Sequence, residues 1–426
     1  MKWFIRQALA VFIVLLRLYC IAKNEGSAVL IRKLWRRVQI PLLHKKGSQA
    51  HSAVAIASTG NFAALVVDNY MPTPDRDSGS LRLFHLLLIL QKLDFEVTFA
   101  AANLEAPAPS LTLLQRHGII CLSRPTTRSL AQHLAAQGHR YTLVILSRAD
   151  TATALMPQVR RHCPHAQILF DTVDLHFLRE ERQAILDDSR ANRWLAAWRK
   201  QQELALVDAA DATLVVSPVE LALLRAERPQ AQLHCVSNIH HIPGSAAPFA
   251  ARRNLLFIGA FSHLPNADAV RWLLRDILPL VHAAIPEVHC HVIGANPPAD
   301  LQALASAQVR IHGHVPDVQP FFAQCRLSVA PLRYGAGVKG KINQSLAHGL
   351  PVVATQIAAE GMFLIDDESA LIADDAIAFA AAVVRLYRDE ACWQRLSTNG
   401  IAIMEQHFSV EAAQHALQEL IHVRIQ

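Results

Sequence analysis

The sequence predicts an α/β protein of two domains, each built on a doubly wound parallel sheet. Three observations carry this prediction. At 426 residues the chain is too long for one ordinary core. Short apolar runs alternate with helical segments along most of its length, which is the order that builds parallel sheets. A stretch of small residues and prolines at 236–252 separates the alternation into two halves, predicted at 51–245 and 246–408.

The amino-terminal segment differs in charge from the rest of the chain. Residues 1–46 hold ten Lys or Arg and one acid, a net charge of +9, whereas the whole chain carries +6. The apolar run at 8–16 has nine residues, and a spanning helix needs about 20. Basic, aliphatic and aromatic residues at helical spacing suit an anionic membrane surface. We therefore predict that 1–50 is a basic amphipathic helical arm, which contacts a membrane through residues 1–46. A true span at 3–22 and helices that dock a partner are the alternatives.

The first domain opens after the small, polar stretch 47–60. Its predicted strands are 63–68, 96–100, 119–122, 143–146, 167–171 and 213–217, with helices at 81–93, 110–117 and 127–137. Polar groups, Asp174 and His176 among them, follow the strand 167–171, where open α/β sheets bind ligands. The alternative is that Asp174 caps the long helical stretch that continues to about 206 and that His176 lies in its first turn.

The second domain repeats the alternation. Its predicted strands are 254–259, 288–293, 309–312, 327–330 and 352–355, and its helices are 318–324, 341–348, 375–388 and 391–407. A last helix is predicted at 410–423.

The most informative stretch is 327–362. A strand ends at Ala330, three glycines follow within residues 335–340, and a helix opens behind them. Glycines let a backbone approach a ligand, and a helix amino terminus presents unpaired N–H groups and partial positive charge to an anion. Lys339 and Lys341 add full charges, so we interpret the stretch as a diphosphate site. An ordinary β-to-α turn is the alternative, since neither GxGxxG nor the P-loop pattern is present.

The segments PLRYGAGVKGK, LAHGLPVVAT and AAEGM resemble the donor-binding region of glycosyltransferase family 4, in a bacterial branch that builds surface polysaccharides. The resemblance runs over about 60–420. It implies the GT-B fold, in which two Rossmann-like domains face a cleft and the last helix, here within 409–426, crosses back to the first domain. It also implies a nucleotide-sugar donor, a glycan acceptor that is lipid-linked, retention of configuration, and no cofactor or metal.

The resemblance also assigns residues. It places His176, Asp174 and Lys339 at the reacting sugar and its departing phosphate, with Asp171 and Asp174 orienting His176. The predicted donor-binding residues are Gly79, Gly259, His263, Asn266, Gly335, Gly337, Lys341, Gln344 and Glu360. The family usually carries two glutamates where this chain has Ala336 and Gln344. A degenerate GT-B protein that binds nucleotide, or assembles at a membrane without turnover, is therefore the alternative function.

Other classes are disfavoured. A nicotinamide dehydrogenase needs GxGxxG after the first strand, and residues 68–80 do not supply it. No third ligand accompanies His289 and His291, so no metal site is predicted there. The basic residues gather in the arm rather than on a nucleic-acid surface. Seven cysteines without CxxC spacing indicate a reducing compartment, and we expect a cytoplasmic protein, peripheral at the inner membrane.

Overall fold

The structure is a computed structural model. It describes residues 62–75, 77–186, 188–245, 247–335 and 337–422. The predicted arm at 1–50 and its linker lie outside the described residues. Within them the predicted fold class is confirmed, because two separate sheets are present and every strand pairing in both is parallel.

The first sheet has seven strands. They are β1 (Phe62–Asp68), β2 (Phe95–Ala101), β3 (Ile120–Leu122), β4 (Leu143–Ser147), β5 (Gln167–Asp171), β6 (Ala212–Val215) and β7 (Leu233–Cys235). Their order in the sheet is β3-β2-β1-β4-β5-β6-β7. The chain reverses its direction of winding between β1 and β4, and the carboxyl ends of these strands flank the crevice where such sheets bind ligands.

Helices connect these strands. They are α1 (Ser78–Lys92), α2 (Ala108–Arg116), α3 (Leu130–Gln137), α4 (Ala149–His162), α5 (His176–Leu186), α6 (Arg190–Ala209) and α7 (Pro218–Glu227), with a 3-10 turn at Gly138–Arg140. The strand interiors are apolar and buried, and the apolar face of α1 packs on them. A buried sheet covered on its faces explains why the strands appear in the sequence as continuous apolar runs rather than as alternation.

The second sheet has six strands. They are β8 (Arg253–Ile258), β9 (Cys290–Ile293), β10 (Val309–Gly313), β11 (Cys325–Ala330), β12 (Val352–Ala354) and β13 (Leu371–Ile372), in the order β10-β9-β8-β11-β12-β13. The winding reverses between β8 and β11. The loops that leave these two strands are therefore the expected ligand-binding loops of this domain.

The helices of this half complete the fold. They are α8 (Leu264–Trp272), a π-helical turn (Leu273–Ile277), α9 (Leu278–Ala284), α10 (Ala299–Gln302), α11 (Gln319–Gln324), α12 (Gly340–Ala347), α13 (Gln356–Ala359), α14 (Ala376–Arg388), α15 (Glu390–His407) and α16 (Val410–His422), with a 3-10 turn at Phe249–Ala251. The last helix, α16, buries Leu417, Leu420 and Ile421 in the core of the first sheet.

Residues 176–202, which comprise α5 and the first part of α6, belong to a compact unit separate from the rest of the described residues. The side chain of Arg199 lies 3.8 Å from Glu180, and the Lys200 ammonium lies over the ring of Phe177 at 5.6 Å. These contacts hold the two helices together.

Some sequence expectations need correction. The continuous helical stretch expected to about residue 206 is two helices, interrupted near Asp188, whose φ is +45°. Helix α1 begins three residues earlier than expected, because Asp77 caps it and its carboxylate accepts the N–H of Ser80 at 2.8 Å. Strands β7 and β13, of three and two residues, were not predicted.

Candidate functional site

The glycine loop of the second domain follows β11, at the reversal point of the sheet. Gly337 has a φ of +67°, a left-handed conformation that side chains disfavour. Lys339 is the N-cap of α12 and is only 6% exposed. Its Nζ donates to the carbonyl of Gly337 at 2.7 Å, and its backbone N–H donates to Sδ of Met362 at 3.2 Å. The loop is therefore closed around a buried lysine.

This loop lies against the first domain. A β-carbon added at Gly337 would be 3.1 Å from Cβ of Asp174 and 3.8 Å from Oε1 of Glu220. Burial, and then the charge of Asp174, raises the pKa of Glu220 to about 7, and the charge of Lys339 opposes that rise. The structure thus brings together Asp174 and Lys339, two of the three residues predicted at the reacting sugar, and adds Glu220 to them.

Two helix amino termini meet beside the loop. A β-carbon at Gly340, the first residue of α12, would be 2.5 Å from Cβ of Ser78, the first residue of α1. The same point lies 3.8 Å from Nδ2 of Asn238, a buried amide nitrogen with no hydrogen-bond partner among the described residues. Each terminus carries roughly half a positive charge. Their convergence, with an unpaired donor beside them, is suited to a doubly charged anion.

Gly79 lies in the first turn of α1. A β-carbon there would be 3.2 Å from Nη2 of Arg148 and 3.6 Å from Cγ1 of Val173. Arg148 itself donates from Nε to Oδ1 of Asp68, the last residue of β1, at 2.8 Å. The glycine therefore lets the Arg148 guanidinium pass close to the helix start, next to the carboxyl ends of β1 and β4.

Lys341 joins the two predicted loops of the second domain. A β-carbon at Gly259, just after β8, would meet the side-chain amide of Asn266 at 2.7 Å. The oxygen of that amide, Oδ1, accepts a hydrogen bond from Nζ of Lys341. The ammonium group also lies over the Phe257 ring, 4.8 Å from its centre. Burial, and then the neighbouring lysine charge, lowers the pKa of Lys341 to about 7. Near neutral pH this cation therefore gains or loses its proton readily.

A buried ion pair supports the first domain's side of the site. Arg82 of α1 donates to Asp171 Oδ2 at 2.8 Å, and both residues are almost fully buried. The same guanidinium donates to the carbonyls of Val236 and Ser237, in the segment that leads to the second domain. The carboxylate of Asp171, predicted to orient the histidine after it, thus accepts from Arg82, and it also accepts from Ser147 at 3.2 Å.

The remaining predicted residues lie on the expected elements. His176 is the first residue of α5, and His263 is the exposed N-cap of α8. Gly335 is buried in the glycine loop, Gln344 lies in the middle of α12, and Glu360 follows α13.

Sequence analysis did not identify Glu220, Asn238 or Ser78. A signal existed for Glu220, because Ser217 precedes it by three residues, the spacing of a helix capping box, and Ser217 Oγ accepts its N–H at 3.2 Å. No comparable local pattern identifies Asn238 or Ser78, which become part of the site only through the packing of the two domains.

The described residues show neither a metal-binding cluster nor a helix that could span a membrane. In the described ranges, no three His, Cys, Asp or Glu side chains are grouped so that they could hold a metal ion. None of the helices in the described part combines the length and apolar character that crossing a bilayer requires.

A family profile and a related protein each match part of the chain. Residues 252–389 match the sequence profile of the family described as "Glycosyl transferases group 1". The lipopolysaccharide core biosynthesis glycosyltransferase LpsE of Rhizobium meliloti is 31% identical over 147 residues, which is 33% of this chain and 43% of LpsE. The chain thus spans less than half the length of that relative.

Solved structures show the same fold over most of the chain. Sucrose-phosphate synthase from Thermosynechococcus elongatus superposes with a TM-score of 0.64 at 17% identity, over 85% of this chain and 98% of that one. HepE from Anabaena, in complex with UDP-glucose, superposes with a TM-score of 0.63 at 14% identity, over 85% and 99%. The two parallel-sheet domains are those of the GT-B fold, and residues 252–389 are similar to the group 1 glycosyltransferases.

Proposed function

We propose that this chain transfers a sugar from a nucleotide-sugar to a glycan acceptor in the synthesis of a bacterial surface polysaccharide. The observation that carries the proposal is the meeting of two helix amino termini, at Ser78 and Gly340, beside Lys339 and Lys341. The names of two similar proteins support it, since one acts in lipopolysaccharide core biosynthesis and the other was solved with UDP-glucose.

The positive groups identify the part of the donor that binds here. Two helix ends contribute roughly one positive charge together, and the lysines contribute up to two more. A nucleoside diphosphate carries its negative charge in one compact group of that size. Backbone N–H groups at helix starts bind such oxygens well, and Asn238 adds a buried amide donor. We therefore assign the diphosphate of the donor to the groups beside the adjoining amino termini of α1 and α12.

The same groups account for catalysis. Transfer passes through an oxocarbenium-like state while negative charge grows on the departing diphosphate. The α12 amino terminus and Lys339 stabilise that charge from fixed positions, which costs no reorganisation during the reaction. Because this charge is supplied by the protein, we expect transfer to proceed without a divalent cation. Asp174 lies next to Gly337 of the glycine loop, and we assign it and His176 to the reacting sugar, with the retention that the family resemblance implies.

The acceptor side of the proposal rests on the arm. Residues 1–46 carry a net charge of +9 and apolar residues at helical spacing. We propose that they bind the inner membrane surface and keep the enzyme beside a lipid-linked acceptor. Flotation of the full chain with anionic vesicles tests this, against a variant in which Arg32, Lys33, Arg36 and Arg37 become Glu. At roughly 1 kcal/mol per basic residue, the variant should leave the vesicles. Equal flotation of both proteins would contradict the role of the arm.

Donor binding is tested by calorimetry with UDP, GDP, ADP, CDP and TDP, followed by turnover with the sugar nucleotides of any base that binds. We expect one base to bind, and Lys339→Ala to weaken that binding while Lys92→Ala, at the exposed end of α1, does not. If no nucleoside diphosphate binds at millimolar concentration, the diphosphate assignment is wrong. Turnover that persists in EDTA is the expected result for the metal-independent step.

A second function is supported by one observation. Ala336 and Gln344 replace the two glutamates that the family usually carries, so the chain lacks both acids. A protein that binds nucleotide without turnover, as an assembly partner at a membrane, is consistent with that loss. Nucleoside diphosphate binding without turnover of any donor in the panel would favour it over the transferase.

A further inference from the structure

A buried glutamate lies where the two domains meet. Glu220 is the third residue of α7 and is 0% exposed. Its Oε1 accepts the backbone N–H of Leu175 at 3.2 Å, and its Oε2 accepts that of Val216 at 3.4 Å. One carboxyl group therefore joins the turn after β5 to the end of β6.

The turn that Glu220 holds is strained. Val173 has a φ of +63°, which is unfavourable for a β-branched residue and persists only when its surroundings enforce it. Asp174 follows it, and the hydrogen bond from the N–H of Leu175 to Glu220 fixes the far side of the turn. The position of Asp174 thus depends on a side chain from another helix.

The second domain lies directly on this arrangement. The Gly337 position is 3.1 Å from Cβ of Asp174 and 3.8 Å from Glu220, measured from an added β-carbon. A β-carbon at Gly361 would be 2.7 Å from Cβ of Ser217, which caps the same helix as Glu220. Two loops of the second domain therefore pack on the start of α7.

We propose that Glu220 is a positioning residue for glycosyl transfer: it fixes the Asp174 turn of the first domain against the donor-binding Gly337 loop of the second. This inference rests on the proposed function. Removing the carboxyl group would free the Asp174 turn without removing any group from the diphosphate site. The reaction rate should then fall while the affinity for nucleoside diphosphate is kept.

Titration gives a second consequence. The charged or titratable groups that face Glu220 are Asp174 on the turn after β5, Lys339 on the glycine loop and Cys235 on β7. Burial and Asp174 raise the pKa of Glu220 to about 7. The hydrogen bonds from Leu175 and Val216 favour the ionised carboxylate, so the ionised form of Glu220 is the one that holds the Asp174 turn. The kcat/KM of the wild type should therefore decline as pH falls below neutrality.

The test compares Glu220→Ala, Glu220→Gln and Glu227→Gln, a change at the other end of the same helix. Calorimetry with the nucleoside diphosphate that binds the wild type measures affinity, and kcat and KM are measured from pH 5.5 to 9. A displacement of the reacting groups by about 1 Å costs roughly 100-fold in rate. We expect Glu220→Ala to lose kcat on that scale with affinity changed less than about threefold.

Glu220→Gln keeps an acceptor for Leu175 and cannot ionise. It should retain most of the wild-type kcat near pH 8 and lack the decline below neutrality, while Glu227→Gln follows the wild type throughout. If Glu220→Ala keeps the wild-type kcat, or if kcat/KM of Glu220→Gln declines with pH as in the wild type, the role of Glu220 is refuted. The proposed function is not refuted by either result. If Glu220→Ala does not fold, the pH profile of Glu220→Gln still decides. A wild type that neither binds nor turns over refutes the proposed function, and the role of Glu220 is refuted with it.

Discussion

Replacing Lys341 by methionine should stabilise the protein while it weakens the binding of its donor. The pKa of Lys341 falls from an ordinary 10.5 to about 7, because burial and a neighbouring lysine penalise its charged form. At about 1.4 kcal/mol per pH unit, this makes the charged form about 5 kcal/mol less favourable in the folded protein. Loss of the charged hydrogen bond to Asn266 costs about 1.5–3 kcal/mol. A net gain of about 2–3 kcal/mol in unfolding free energy should remain at pH 6.

The gain should depend on pH with a definite sign. When folding lowers the pKa of a lysine, that lysine destabilises the folded state. The destabilisation has its full size at pH values below the pKa in the folded protein. That destabilisation disappears as pH rises from about 7 towards 10.5, since the folded lysine has then lost its proton while the unfolded one still holds it. The advantage of Lys341→Met should therefore shrink between pH 6 and pH 9. Urea unfolding at both pH values measures it, with Lys92→Met as the matched control on an exposed lysine.

Ligand binding should reverse the order. A bound diphosphate favours the charged lysine, so it should stabilise the wild type more than the methionine variant. It should also drive proton uptake near pH 8, which appears in calorimetry as a binding enthalpy that changes with the buffer. A methionine variant that is less stable than the wild type at pH 6, or wild-type binding without proton uptake, would refute this account of Lys341.

Three further predictions concern backbone strain, a buried histidine and a buried ion pair. Gly337→Ala and Gly313→Ala both place a side chain at a φ of +67° and should each lose about 1–2 kcal/mol of stability. Only Gly337→Ala should also lose donor binding and turnover, by at least about tenfold, because a β-carbon at Gly313 meets nothing within 4 Å. The pKa of His240 is lowered by burial from 6.5 to about 4, so its neutral form stabilises the fold, and that contribution is lost as pH falls through this range. Between pH 7 and 4.5, the wild type should lose about 2.5 kcal/mol more unfolding free energy than His240→Leu, measured by urea unfolding. Arg82→Met leaves its buried carboxylate unpaired and should cost about 3–5 kcal/mol in the same assay, whereas Arg160→Met, which breaks a more exposed pair, should cost less than about 1.

The fold was predictable because its signals are local. Buried parallel strands are continuous apolar runs, and the run at 167–171 gives β5 with the same bounds that the structure has. Strands β7 and β13 are too short to leave any pattern, so the sequence does not show them. The break between α5 and α6 is marked only by Asp188 and Ser189, which favour turns and helix caps, and a signal this short is easily missed inside a long helical stretch.

The half of the site that lies in the second domain was predictable, because a single stretch of sequence supplies it. Glycines and lysines that alternate between a strand and a helix form a recognisable pattern, and the structure places Gly337, Lys339 and Lys341 on a loop at the reversal point of the sheet. The other half is made by packing. Ser78, Asn238 and Glu220 come from three separate segments of the first domain, and nothing near them in the sequence announces a contact with Gly337 or Gly340.

The two shifted pKa values follow from one physical condition. Burial and neighbouring groups of like charge shift the pKa of Glu220 up and that of Lys341 down, both to about 7, so each group is only partly charged near neutral pH. A diphosphate reverses the balance, since negative charge raises the pKa of every group that faces it. Lys341 then gains a proton. Donor binding should therefore make the site more positive where the leaving group develops its charge.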